Sequence, residues 1–203
     1  MSSLSSNTTR GDLLLSSLQE FLKQDNRLSK ILPIINGESK ISLRVIDWFV
    51  TNYSKKYNTS YFIDINNNTI IDSLDNYNAK DFREFVVYLD YKLQLKGYSK
   101  KQFDPFCRRS RINFYYSENE SFVTTVGQMN FFKWVINNNI IDYISNHLKE
   151  IEKDMNLCYK NQYEKGEEIK GEGASLRRKR KELSISASKH LSKTNVKVLL
   201  SFD

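Results

Sequence analysis

Apolar residues recur at helical spacing along most of this chain, and the period changes to two near residue 112 and again close to the C-terminus. Leu14, Leu18, Phe21 and Leu22 form one face behind Asp12, a residue suited to capping a helix N-terminus. Leu43, Ile46, Val50, Tyr53 and Tyr57 step by three and four, with Trp48 and Phe49 widening the stripe. Phe82, Phe85, Val86, Leu89 and Leu93 predict a helix from about Ala79, with Asn78 as its cap, these five residues facing inward, and Gly97 as its stop. Ile141, Ile144, Leu148, Ile151 and Met155 predict a long amphipathic helix reaching about Tyr159.

Between these stripes the pattern is polar or alternating. Residues 58–78 are rich in Asn and Asp and read as a loop, with "SYFI" inside them reading as strand. Ser99 and Gln102 have capping-box spacing and predict one short turn before "FDPF". Thr125 and Gln128 repeat that spacing ahead of "VGQMNFFKWVINNN". "RINFYY" and "SFVTTV", separated by "SENE", predict a β-hairpin over 111–126. "NVKVLLSFD" ends the chain on alternation, so a strand over 196–202 is expected to add to the hairpin as a third strand.

The expected fold class is α+β: a helix-rich body carrying one small antiparallel sheet. Its domain plan is a lead at 1–10, a globular body at 11–160, a flexible linker at 161–176 and a basic tail at 177–203 whose strand docks on the body. Composition agrees with this plan. Hydrophobic residues make up 39% and aromatics 13%, enough for a core, while seven glycines and two prolines leave few sharp turns for a many-stranded sandwich.

The net charge of +7 changes the picture once it is located. Between Ala174 and Leu200 eight cations face Glu182 alone, and between 92 and 111 seven cations face Asp104 alone, so the rest of the chain is net negative. Charge sorted into two patches suits a protein that holds a polyanion. The candidate phosphate contacts are Arg177, Arg178, Lys179, Arg180 and Lys181 in the tail, and Lys100, Lys101, Arg108, Arg109 and Arg111 in the second patch. A run of five cations also serves as a nuclear-import address, as a dock for an acidic protein, or as a solvated connector, and the sequence leaves these open. Tyr98, Phe103, Phe106, Phe114, Tyr115 and Tyr116 interleave with the second patch and would stack on unpaired bases if exposed, although "INFYY" is equally the pattern of a half-buried strand.

Other chemistry has little support. "DINNNTIIDSLD" places Asp64, Asn66, Asn68, Asp72 and Asp75 at the spacing of calcium ligands, but Thr69 stands where the loop needs Gly, Asp75 is shorter than the usual Glu, and a strand precedes it. His147 and His190 lie in no metal-ligand spacing. Cys107 beside Arg108 and Arg109 has no base linked to it, and two cysteines make neither a disulfide framework nor a metal quartet. Phosphate-binding glycine loops and nucleophile elbows are missing from the sequence. A non-enzyme without cofactor or metal is expected. Without a run of about 18 apolar residues or an apolar leader, no membrane partner is expected and an intracellular location is.

Three stretches, "GYSKKQFDPFCRRSRINFYY", "TTVGQMNFFKWVINNNIIDYI" and "RRKRKELSISASKHLSKTNVKVLLSFD", resemble a family of small proteins encoded by nucleocytoplasmic large DNA viruses, the mimivirus-like and algal-virus groups. The resemblance runs from the first helix to the terminal strand and implies a setting rather than a site. That setting is an infected protist or alga, with the host cytoplasm (viral factory), the nucleus or the virion as the place of action. On this reading the chain is a viral accessory protein that binds DNA or RNA through phosphates with little sequence preference. The alternative is a structural or interaction subunit, a virion component or part of a transcription or assembly complex, whose basic tail docks a protein partner.

Overall fold

The structure, a computed structural model, describes residues 10–24, 27–71, 80–107, 111–116 and 120–168. The chain divides into two units, Met1–Gln162 and Tyr163–Asp203, and the core described here lies in the first. Helices α1 (Arg10–Lys23) and α2 (Arg27–Ile35) lead into α3 (Leu43–Trp48), a π-helical turn (Phe49–Tyr53) and α4 (Ser54–Tyr57). Strands β1 (Ser60–Asp64), β2 (Ile70–Ile71) and β3 (Phe82–Val86) follow, then α5 (Val87–Tyr98) and α6 (Lys100–Phe103). A hairpin of β4 (Ile112–Tyr115) and β5 (Ser121–Thr124) precedes α7 (Val126–Asn137) and α8 (Ile140–Glu168). The α+β class holds, with a three-stranded antiparallel sheet in the order β2-β1-β3 and the separate two-stranded hairpin.

Helix α7 is the element around which the body packs. It buries Met129, Phe131, Phe132, Trp134, Val135 and Ile136, a nearly all-round apolar surface that a helix shows only when neighbours surround it. The Thr125 hydroxyl accepts from the Gln128 N–H at 3.1 Å, as its spacing predicts. The Gln128 side chain does not return to close the box, and its Oε1 accepts from the Thr124 hydroxyl instead. On one side α8 presents Ile140, Ile144 and Ile151, all fully buried. It extends past the expected end near Tyr159 to Glu168, and it leaves helical geometry at His147 (φ −115°, ψ 15°), where the ring Nδ1 lies 3.0 Å from the Tyr143 carbonyl.

Two expectations need correction. The Asn-rich segment is not simply a loop. Asn58 ends α4 in the left-handed region (φ 48°), β1 begins two residues later, and Asn68 (φ 51°) closes a tight turn into β2. Asp64 organises that turn, its carboxylate accepting from the N–H groups of Asn66 (2.7 Å) and Asn67 (3.1 Å) and from the Asn67 amide at 2.9 Å. The second correction concerns residues 82–86, expected as the first turns of a helix. They form β3, paired antiparallel to β1 from Ser60↔Val86 to Asp64↔Phe82. Ten residues of ladder satisfy the backbone there as well as a helix would, and β1 would otherwise lack a partner on that edge. Helix α5 therefore starts at Val87, and Val87 and Tyr91 set its buried face. Phe85 goes inward, but Val86, Leu89 and Leu93 are exposed, against expectation.

The short turn expected after Ser99 is present as α6, although Ser99 (φ 66°, ψ 160°) makes no side-chain cap. Helix α2, with Pro33 inside it and Gly37 (φ 75°) beyond its end, has no counterpart in the sequence expectations. The linker beyond residue 168, the strand over 196–202, the lead at 1–9 and the cap Asn78 all lie outside the described residues.

Candidate nucleic-acid interface

Side-chain alternation gives the β4–β5 hairpin two faces. Phe114 and Thr124 are buried on one, with Ile112 and Phe122 packed beside them. The other face carries Asn113 and Tyr115 on β4, opposite Val123 and Ser121 on β5, and all four are exposed. Arg111, exposed and in phase with Asn113 and Tyr115, adds a guanidinium to the same face. Tyr115 leaves 59% of its surface in water. A phenol ring, an amide and a guanidinium along about 13 Å of strand supply a stacking surface and anion contacts on one face.

Helix α6 brings Lys100 and Lys101 to the base of this hairpin. A Cβ on Gly127, at the start of α7, would lie 3.0 Å from the Asp104 carbonyl oxygen and 3.1 Å from that of Lys101, so the backbones touch. The Asn130 amide donates to the Gln102 carbonyl at 2.9 Å and ties α6 down from the same helix. Ile112 pairs with Thr124 at that end of the ladder, so Arg111 and α6 flank the same junction. Lys100 is bridged to Asp104 at 3.5 Å and remains 80% exposed. Lys101, Arg111 and Tyr115 are exposed, and no hydrogen bond, ion pair or ring contact joins their side chains to the described residues.

The six aromatics of this region divide sharply. Phe103 and Phe114 are fully buried, Tyr98 stacks on Phe103 at 6.2 Å between centroids, and Tyr116 packs against Phe122. Phe106 and Tyr115 are exposed and free to meet a base. Arg108 and Arg109 lie outside the described residues, as do Arg177, Arg178, Lys179, Arg180 and Lys181. Of the ten cations read from the sequence, Lys100, Lys101 and Arg111 thus lie among the described residues, all exposed. The structure also shows a row that escaped notice: Lys149, Lys153 and Lys160 line a shallow groove of about 410 Å³ along α8, interrupted by Glu152. Their four- and seven-residue spacings were the available signal.

Elsewhere, polar groups are turned inward. Asp154 on α8 is buried and accepts from Trp48 Nε1 and the Tyr57 hydroxyl, each at 3.2 Å, and from the Lys56 ammonium. Burial opposes ionisation of this carboxyl, yet the bonds from Lys56, Trp48 and Tyr57 outweigh it and hold its pKa below the ordinary 3.8. The bond to Asp154 raises the pKa of Lys56 in turn. Trp48 before the π-helical turn and Lys56 and Tyr57 after it thus converge on one carboxylate. Burial likewise raises the pKa of Tyr61, whose hydroxyl donates to the Asn138 carbonyl at 2.6 Å.

A second concavity of about 490 Å³ lies between α2, the β1–β2 turn and the α7–α8 junction, with Arg27 and Lys30 on one wall and Asp142 on another. Its Asn139 amide donates to the Asn68 carbonyl at 2.9 Å and joins the turn to the junction. Among the described residues no three His, Cys, Asp or Glu side chains converge as metal ligands; Asp72 and Asp75 of the calcium-like spacing lie outside them. Cys107 and Cys158 are free and half-buried. None of the described helices is long and apolar enough to cross a membrane.

No solved structure matches this chain significantly. A curated relative, "Uncharacterized protein L507" of Acanthamoeba polyphaga mimivirus, is 44% identical over 158 residues, 75% of this chain and 56% of the relative, so the chain spans little more than half of that protein's length. The giant-virus resemblance is thereby borne out. Residues 6–193 match a family of unknown function, DUF7197, and this chain belongs to it.

Proposed function

We propose that this protein is a non-enzymatic viral accessory protein that binds nucleic acid through phosphate contacts, with little sequence preference. The observation that carries this reading is the outer face of the β4–β5 hairpin, where Arg111, Asn113 and Tyr115 are exposed together and Lys100 and Lys101 flank the hairpin base. An exposed tyrosine stacks on any base, because every base has a π-face, and the cations beside it bind phosphate rather than base edges. Such a surface favours single strands, whose bases are free to leave their neighbours. Arg108, Arg109 and the 177–181 run add charge from sequence alone.

The test is binding of labelled single- and double-stranded DNA and RNA over a salt series. Wild type is compared with Arg111→Ala/Tyr115→Ala and with alanine at all five positions 177–181. Binding at micromolar or lower concentration, with log affinity falling by about 0.7 per phosphate contact per decade of salt on single strands, is the expected result. The double variant should lose affinity with its fold intact, and the tail variant should show a shallower salt slope. Absence of binding at moderate salt overturns the reading. The alternative of an interaction subunit is favoured by one observation, the exposed apolar row of α5.

A further inference from the structure

The helix that begins about two turns later than its sequence pattern implies leaves an apolar seam in water. Val86, Leu89 and Leu93 are exposed by 38%, 59% and 57%, at spacings of three and four residues. At 3.6 residues per turn Leu89, Leu93 and Lys96 fall within about 60° of one another on α5, with Lys92 about 60° to one side of Leu89. Lys92 and Lys96 are both exposed, and Lys55 borders the same flank, its ammonium 5.6 Å from the Tyr88 ring centroid. The one acid on the opposite shoulder of α5, Asp90, is already engaged, accepting from Trp134 Nε1 at 2.5 Å and from Gln94 at 3.4 Å. At the C-terminal end, a Cβ on Gly97 would have no atom within 4 Å, so the space beside that last turn is open.

A seam one side chain wide, about 10 Å from Val86 to Leu93, suits another helix better than a broad surface. Self-pairing is disfavoured by charge: a two-fold interface sets the same patch against itself, so two lysine-rimmed seams would be brought together. The lysine rim therefore selects the occupant. We propose that the outer face of α5 docks an acidic amphipathic helix of another protein, its leucines on Leu89 and Leu93 and its carboxylates on Lys92, Lys96 and Lys55. This goes beyond nucleic-acid binding and does not depend on it.

The probe is a synthetic helical peptide of about 18 residues with leucines on one stripe and glutamates on its borders, together with a counterpart carrying lysine for each glutamate. Both are titrated onto the full chain by fluorescence anisotropy. The glutamate peptide should bind at least tenfold more tightly than the lysine peptide. Leu89→Ser/Leu93→Ser should lose that binding tenfold or more at unchanged Tm and unchanged affinity for single-stranded DNA, and Lys92→Glu/Lys96→Glu should invert the peptide preference. Equal binding of the two peptides, or serine-variant affinity equal to wild type, overturns the proposal. A dimer in sedimentation that the serine variant abolishes overturns it too, by giving the seam to a second copy.

Discussion

The same residue types behave oppositely in two regions of the body. Where α8 meets the α3–α4 segment, cations and aromatics are engaged with one another: Arg44 lies 4.5 Å over the Tyr159 ring, Lys56 bonds Asp154, and Tyr143 stacks between Phe49, Tyr61 and His147. Around α5, α6 and the β4–β5 hairpin, Lys101, Arg111, Tyr115, Leu89 and Leu93 face water instead. A buried carboxylate with three donors is a structural device, because removing it strands those donors in a dry place. An exposed ring or leucine contributes little to folding, so its replacement leaves the core untouched.

The comparison can be broken most severely at Asp154. Asp154→Ala should destabilise the fold by about 2–4 kcal/mol, read by urea denaturation, because Trp48 and Tyr57 lose their acceptor and Lys56 its counter-charge. Nucleic-acid affinity measured below the melting temperature should stay as it was. On the hairpin side Tyr115→Ala should reverse that pattern: about 1–3 kcal/mol of single-strand affinity lost, with stability within about 0.5 kcal/mol of wild type. A matching loss of stability would place Tyr115 among the structural aromatics after all.

Gly127→Ala tests the contact between α7 and α6 on the hairpin side. The new Cβ would press on the backbone oxygens of Asp104 and Lys101, which cannot rotate away, so α6 must shift and a cost of about 1–3 kcal/mol is expected. Binding should weaken as well, since Lys100 and Lys101 move with α6. The smallest effect concerns pH. The Asp154 carboxyl has a folded pKa below its ordinary 3.8, so its contribution is present above about pH 4 and is lost as pH falls through the folded value. Asp154→Asn should flatten the acid limb of a stability–pH curve while leaving the limb above pH 6 parallel to wild type.

Periodicity alone located α1, the α3–α4 segment, the β4–β5 hairpin, α7 with its Thr125 cap, and α8, because each buries a face whose spacing matches its own geometry. It failed at residues 58–86 for a definable reason. The spacing of Phe82, Phe85 and Val86 favours a helix, since a strand puts Phe82 and Phe85 on opposite faces, and pairing with β1 overrides it. "SYFI" read as the strand it is, β1, but Asn-rich composition hid β2, since Asn58 and Asn68 mark tight turns by adopting left-handed backbone, which composition cannot distinguish from loop.

The candidate site was legible in part. Net charge and its sorting into patches are properties of the sequence, and the cations at 100, 101 and 111 could be named without coordinates. Which of six aromatics stays in water could not, because alternation tells that Phe114 and Tyr115 face opposite ways but not which way is out. That direction is set by α7 and the core behind the hairpin, which claim Phe114 and leave Tyr115 to solvent. The outward turn of Leu89 and Leu93 was decided in the same way. Sequence determines the period of an apolar stripe, while its phase against the rest of the molecule depends on where the preceding element stops, and at Val86 tertiary pairing made that choice.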